Sequence, residues 1–267
     1  MKIGVIGAGR LGICFSLLVE KAGYKVVASD VREDYVNNLS NRKIITNEPQ
    51  VEQLLSEAKN ITFKVGNHEV ISECDILYTL VATPSLPDGS YDVSAVWKVI
   101  EDIKSYDGSL EGKSFVVGCT TNPGDCELFQ NELSILGIDV FYNPEFIAQG
   151  SIIKDLQNAD MVLVGGKGNH LNLIEEIYHK IQVTEPKIYS MSTTAAELVK
   201  LAINCFLTTK ISYANMVGEV MTLSGLENEI SHVLQAIGAD TRVGSKYLNY
   251  GYGFGGPCLP RDNRSFA

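Results

Sequence analysis

The 267 residues contain no apolar run that approaches the roughly 18–20 residues of a membrane span. None of the six cysteines (Cys14, Cys74, Cys119, Cys126, Cys205 and Cys258) belongs to a CxxC pair or falls at a paired spacing. The first absence excludes a membrane helix within this sequence. The second predicts free thiols in a reducing cytoplasm, with neither disulfide bridges nor a metal site. Positive charge is also scarce: 22 Lys and Arg stand against 32 Asp and Glu, a net charge of −10. General nucleic-acid binding rests on neutralising phosphates and is not expected here. A small anion needs only a few well-placed donors and stays possible. There is no internal repeat and no low-complexity segment, and Met1-Lys2-Ile3-Gly4 reads as the start of a strand rather than of a signal peptide.

Hydrophobic residues at 45% and charged residues at 20% fit an ordinary globular chain of one large domain or two unequal ones. Short apolar runs at Lys2–Ile6, Tyr24–Ser29, Asp75–Val81, Lys113–Gly118, Ile138–Tyr142, Met161–Gly165 and Lys187–Ser190 read as strands. Helical spacing lies between several of them, at Arg10–Lys21, Ser94–Ile103 and Leu173–Ile181. Strands alternating with helices imply crossover units and a doubly wound parallel α/β sheet of Rossmann type, covered on both faces. The alternation stops near residue 190. Thr194-Ala-Ala-Glu197 then reads as a capping box that opens one long helix reaching about Ser224-Gly225. Glu227–Ile237 is a further helix, and no strand pattern follows before the Gly- and aromatic-rich stretch Tyr247–Gly256. The expected domains are 1–190, a dinucleotide-binding unit, and 191–267, a small helical unit.

Gly7-Ala8-Gly9-Arg10-Leu11-Gly12 follows the first strand and opens the first helix. In that context Gly7 serves the tight turn, Gly9 lets a pyrophosphate approach the backbone, and Gly12 lets helix and strand pack closely. The amides of Arg10, Leu11 and Gly12 at the helix start would then face phosphate. Asp30 ends the second strand, where a carboxylate can accept ribose hydroxyls and repel a 2′-phosphate. NAD is therefore favoured over NADP, with Arg32 as the neighbour that weakens the argument.

Lys200 and Asn204 are four apart and share a helix face. Lys200 reads either as a solvated lysine or as a functional cation. Its apolar neighbours predict a buried helix and so favour function. Gly251-Tyr252-Gly253-Phe254-Gly255-Gly256-Pro257-Cys258-Leu259-Pro260-Arg261-Asp262 places Cys258 among glycines and beside Arg261, an environment for a thiolate nucleophile. The other five cysteines read as inert core thiols.

These motifs together resemble the UDP-glucose/GDP-mannose dehydrogenase family. The segment Gly253–Asp262 matches the family's GFGGSCFPKD loop, and Lys200 with Asn204 matches its Lys-x-x-x-Asn helix. Asn143-Pro144-Glu145-Phe146 matches its Asn-Pro-Glu-Phe motif; Thr83-Pro84, Cys119-Thr120 with Gly124, and Arg242-Val243-Gly244 match three shorter ones. The resemblance implies oxidation of a nucleotide-sugar alcohol, UDP-glucose first among them, to its carboxylate with two NAD⁺. Cys258 would hold the aldehyde as a thiohemiacetal and then a thioester. Lys200 and Asn204 would support oxyanions, Asp262 and Glu145 would move protons or orient water, and Thr120 stands with them as a catalytic candidate. Thr83 and Thr120 would touch NAD; Arg242, Tyr247 and Gly255 would line the sugar site with Glu145, Lys200 and Asn204. It also implies a homodimer through the helix 194–224.

The sequence departs from the family at Gln149, where a second glutamate is common, and at Pro257, Leu259 and Arg261. The family's third, C-terminal domain, which holds much of the nucleotide, has no counterpart in these residues. Two other readings stand: a two-electron β-hydroxyacid dehydrogenase, which shares the Rossmann unit and the Lys-x-x-x-Asn pair but not the cysteine loop, and a catalytically silent NAD-binding or dimerisation module.

Overall fold

The computed structural model describes residues 1–148, 150–256 and 258–266. Gln149 and Pro257, two of the departures noted above, lie outside them. The chain forms two compact units: Met1–Pro84 with Tyr91–Glu197, and Ser85–Ser90 with the residues from Leu198 onward.

The first unit holds one sheet of eight strands: β1 (Lys2–Ile6), β2 (Lys25–Asp30), β3 (Ile61–Val65), β4 (Ile76–Thr79), β5 (Ser114–Val117), β6 (Asp139–Tyr142), β7 (Val162–Gly165) and β8 (Ile188–Met191). Their order is β3-β2-β1-β4-β5-β6-β7-β8. Helices α1 (Arg10–Lys21), α2 (Glu33–Ser40), α3 (Val51–Glu57), α4 (His68–Glu73), α5 (Ser94–Lys104), α6 (Asp125–Leu133), α7 (Ile152–Gln157) and α8 (Leu171–Ile181) connect them. Central strands β4, β5 and β7 are buried at every residue, as expected of strands covered on both faces. The edge strand β3 is different. Ile61 and Phe63 are buried while Thr62 and Val65 are exposed, so its alternation marks it as a strand although it is no apolar run.

The sheet is not parallel throughout. β6 and β7 meet in antiparallel sense at the single pair Tyr142↔Gly165, and β8 then runs parallel to β7. The edge of β6 beyond that pair is completed by a side chain. Gln130 Nε2 donates to the Ile138 carbonyl at 3.1 Å, and the Val140 amide donates to Gln130 Oε1 at 2.8 Å. One amide side chain thus supplies a rung that a neighbouring strand would otherwise supply.

α9 (Thr193–Leu223) begins in the first unit and continues through the second. The expected capping box does not form. Ser192 Oγ accepts from the Ala195 amide, and Thr194 Oγ1 donates to Glu127 Oε1 at 2.7 Å. Glu197 is fully buried and turns to α6: it accepts from the amides of Gly124 (2.7 Å) and Cys126 (3.0 Å) and from Thr121 Oγ1 (2.8 Å). The N-terminus of α6 has only Gly124 at its cap, with no side chain of its own. Its unsatisfied amides draw the carboxylate away from α9.

In the second unit, α9 packs with α10 (Ile230–Ala239) through Ala214, Ile230, Leu234 and Leu248. α11 (Leu259–Phe266) is the last helix, and no strand occurs among the described residues after β8. Lys210 Nζ donates to the carbonyls of Val243 and Gly244, each at 3.1 Å. Asn215 grips the next loop, donating to the Tyr252 carbonyl and accepting from the Gly251 amide. The expectation of a helix buried all round is not met. Leu201, Thr208 and Ala214 are buried, whereas Phe206 (63% exposed), Tyr213, Met216, Val220 and Leu223 (89%) are not. Two short helices and a few loops do not provide enough surface to cover a helix of 31 residues.

Candidate functional site

β1 lies between β2 and β4, so the chain direction across the sheet changes there. The crevice beyond the carboxyl ends of such strands is where this architecture receives ligands. Gly7 follows β1 with φ of +93°, and its amide and that of Ala8 both donate to the Ser29 carbonyl, at 2.9 and 2.8 Å. A Cβ on Gly12 would stand 2.0 Å from the Gly7 carbonyl oxygen, so only glycine lets α1 approach the turn this closely. A Cβ on Gly9 would meet no protein atom within 4 Å. No side chain caps α1, Arg10 is exposed and Leu11 half-buried. These features fit a dinucleotide: a tight turn, a close helix, and open space before uncapped helical amides.

Asp30 closes β2 and is buried, and both its carboxylate oxygens are engaged by Arg32. Oδ1 accepts from the Arg32 amide (3.1 Å) and Nε (2.8 Å), and Oδ2 accepts from Nη2 (2.9 Å). Burial pushes the Asp30 carboxyl up, but the Arg32 guanidinium and the amide bonds outweigh it and hold it below the usual carboxylate range. Thr83, after β4, is buried, and Thr120, after β5, is half-buried. Tyr35 on α2 joins this group unannounced by any motif. Its hydroxyl donates to the Ala8 carbonyl at 2.9 Å, and the Arg32 guanidinium lies 4.2 Å over its ring.

Glu145 follows β6. Its Oε1 lies 2.6 Å from the Tyr178 hydroxyl, which also lies 2.7 Å from Asn143 Oδ1. Asn143 Nδ2 donates to the Leu163 carbonyl, which fixes the amide's orientation. Burial, reinforced by Glu145, pushes the Tyr178 phenol well up. Tyr178 thus remains a neutral donor to the glutamate. In the sequence it is indistinguishable from an apolar position of α8.

The second unit holds the other candidates, and two of them, Asn204 and Cys258, meet α11. Asp262 is 1% exposed, and its Oδ2 accepts from Asn204 Nδ2. One turn further along α9, Thr208 Oγ1 bonds the Asn263 side chain. Lys200 lies one turn before Asn204 and is half-buried. Cys258 immediately precedes α11, its carbonyl accepting from the Asp262 amide at 2.8 Å. Its side chain is exposed, whereas Cys14, Cys74, Cys119 and Cys126 are buried and Cys205 is half-buried; all six are free thiols. Burial pushes Cys14, Cys74 and Cys119 up to about 12. Arg242 is exposed and paired with Asp240 at 2.6 Å. Tyr247 is exposed with φ of +65°, and Gly255 is exposed. Among the described residues no three His, Cys, Asp or Glu side chains could hold a metal ion, and no helix is long and apolar enough to cross a membrane.

Residues 1–182 match the NAD binding domain of the UDP-glucose/GDP-mannose dehydrogenase family, and residues 194–267 match its central domain. The chain belongs to this family. It is 32% identical over 270 residues to the UDP-glucose 6-dehydrogenase TuaD of Bacillus subtilis, covering 98% of this chain and 57% of that one. Among solved structures, a UDP-glucose dehydrogenase from Pyrobaculum islandicum superposes with a TM-score of 0.86 at 29% identity, covering 99% of this chain and 62% of that one. The UDP-D-ManNAc dehydrogenase of Pyrococcus horikoshii gives 0.84 at 25% identity, covering 99% and 63%. The chain therefore spans about three fifths of the length of these relatives. Two enzymes named for different sugars superpose almost equally well, so the fold does not discriminate between sugars.

Proposed function

We propose that this chain takes part in the NAD-dependent, four-electron oxidation of a nucleotide-sugar primary alcohol to its carboxylate, with UDP-glucose as the favoured substrate and Cys258 as the covalent nucleophile. The observation that carries the reading is the placement of Cys258. It is the exposed thiol among six, it directly precedes α11, and α11 carries the buried Asp262, whose carboxylate accepts from the Asn204 side chain of α9.

NAD⁺ supplies the acceptor for each hydride. Gly7, Gly9, Gly12 and the first turn of α1 would hold its pyrophosphate, Asp30 a ribose, and Thr83 and Thr120 the backbone nearby. Within the protein, the substrate hydroxyl gives its proton to Asp262 or Glu145, Lys200 donates to the resulting alkoxide oxygen and stabilises its negative charge, and departure of hydride then leaves the aldehyde. The Cys258 sulfur then adds to the aldehyde carbon, forming a thiohemiacetal that keeps the intermediate bound. Loss of a second hydride leaves a thioester. Water attacks it, the C–S bond breaks, and the thiolate is regenerated as the acid departs. Asn204 holds Asp262 in place, and Asp262 and Glu145 serve to accept protons or orient that water. Arg242, Tyr247 and Gly255 are assigned to the sugar nucleotide.

We also infer a homodimer. Phe206, Thr209, Tyr213, Met216, Val220 and Leu223 repeat at alternating spacings of three and four along α9, the pattern of a helical seam. Five of these six are large apolar side chains exposed in the single chain. A second copy of the same helix covers such a stripe most economically.

Cys258→Ser tests the catalytic reading. Turnover should fall by orders of magnitude with NAD⁺ affinity unchanged, because a serine hydroxyl is far harder to deprotonate and gives a poorer leaving group. Undiminished acid formation would remove Cys258 from the mechanism.

A further inference from the structure

We propose that Arg32 sets how strictly the cleft distinguishes a ribose 2′-hydroxyl from a 2′-phosphate, and that it extends binding from NAD⁺ to NADP⁺. The proposal rests on the reading of the glycine loop as a dinucleotide site. An ionised carboxylate offers about four acceptor positions. Asp30 gives three of them to Arg32: Oδ1 takes the amide and Nε, and Oδ2 takes Nη2. At most one position remains, on Oδ2. A ribose diol that donates both hydroxyls needs two, so Arg32 competes with the ribose for the carboxylate.

The same pairing changes how the site meets a phosphate. A bare carboxylate repels a 2′-phosphate, but here its charge is balanced by a guanidinium at 2.8 Å. Only two of the five guanidinium N–H donors go to Asp30. The Arg32 side chain is 57% exposed, so the remaining donors can reach a ligand without burying an ion. A planar guanidinium suits phosphate oxygens, and in this architecture an arginine near the end of the second strand is the group that accommodates a 2′-phosphate.

Tyr35 places the guanidinium beside the dinucleotide loop. The cation lies 4.2 Å above a ring whose hydroxyl is anchored to the Ala8 carbonyl. Another Asp-x-Arg of the chain, at Asp240, pairs in the same way. Arg242 binds Asp240 through the same amide, Nε and Nη2 donors. The pair is therefore a local motif. At Arg32 that pair stands at the tip of β2, next to the glycine turn.

Calorimetric titration of NAD⁺, NADP⁺ and 2′,5′-ADP into the wild-type chain, Arg32→Ala and Arg32→Gln tests this without any turnover. The wild type should bind NADP⁺ within about a hundredfold of NAD⁺. Both variants should raise the ratio of the NADP⁺ to the NAD⁺ dissociation constant by about tenfold or more, through weaker NADP⁺ and equal or tighter NAD⁺. Binding of 2′,5′-ADP should weaken in parallel. Both substitutions are at an exposed side chain, and retained NAD⁺ binding reports that the fold is intact. NAD⁺ binding with an unchanged or smaller ratio would overturn the role of Arg32, as would a wild type that binds NAD⁺ but no NADP⁺. A wild type that binds no NAD⁺ would overturn the dinucleotide reading itself, and this proposal with it.

Discussion

Glu197 Oε2, on the second turn of the long helix, accepts the Gly124 amide at 2.7 Å, and through that bond the helix caps its neighbour α6. Burial pushes the Glu197 carboxyl up, against the downward pull of its Cys126, Gly124 and Thr121 partners. A carboxyl whose folded pKa lies above its unfolded value makes the folded state the stronger proton binder. Stability contributed by this group is therefore fullest at or below the ordinary glutamate value near 4.5 and is lost as pH rises towards the folded value. Urea unfolding at a series of pH values should show that slope in the wild type and its loss in Glu197→Ala. At neutral pH, Glu197→Gln should cost about 1–3 kcal/mol, because its NH₂ must face an amide donor. A Gln variant as stable as wild type would show that the cap contributes nothing.

The two glycines of the first turn should separate folding from binding. Gly12→Ala drives a Cβ to 2.0 Å from the Gly7 carbonyl and should lower thermal stability as well as NAD⁺ affinity. Gly9→Ala meets no protein atom within 4 Å, so the melting temperature should hold while NAD⁺ affinity falls by about tenfold or more. Equal NAD⁺ affinity in Gly9→Ala would place the pyrophosphate elsewhere.

Iodoacetamide followed by mass spectrometry ranks the six thiols of the folded chain. Cys258 should label first, because it is exposed, and Cys14, Cys74, Cys119 and Cys126 last, because they are buried and their thiols are pushed far above neutral pH. Labelling of Cys205 ahead of Cys258 would contradict the assignment.

The exposed stripe of α9 has a direct readout. Light scattering should give about twice the 29.2 kDa chain mass. A Phe206→Glu, Val220→Glu double variant should return the single mass while keeping NAD⁺ binding. A wild-type mass near that of one chain at micromolar concentration would refute the dimer.

Much of this was legible because its cause is local. The turn at Gly7, the packing at Gly12 and the end of β2 at Asp30 each follow from a short motif in its strand-to-helix setting, and the fully buried strands announce themselves as apolar runs. Relationships that depend on distant residues were not legible. Thr194 and Glu197 have the spacing of a capping box, but the choice between their own helix and α6 is made by amides more than seventy residues away in sequence. The reversal at β7 depends on how the chain after β6 returns, and Gln130 supports it from a helix. Tyr178 and Tyr35 belong to no motif, and only the fold brings them to Glu145 and to the glycine loop. β3 carried its signal in plain alternation, which a search for apolar runs passes over.

The most direct test of the covalent mechanism is a count of NADH released per sugar oxidised. It is best made with this sequence joined to the C-terminal domain of its family, using UDP-glucose and excess NAD⁺. Two NADH per uronate are expected, with no free aldehyde, and Cys258→Ser should stop acid formation. One NADH per sugar, or a Ser variant that still yields two, would contradict the role assigned to Cys258.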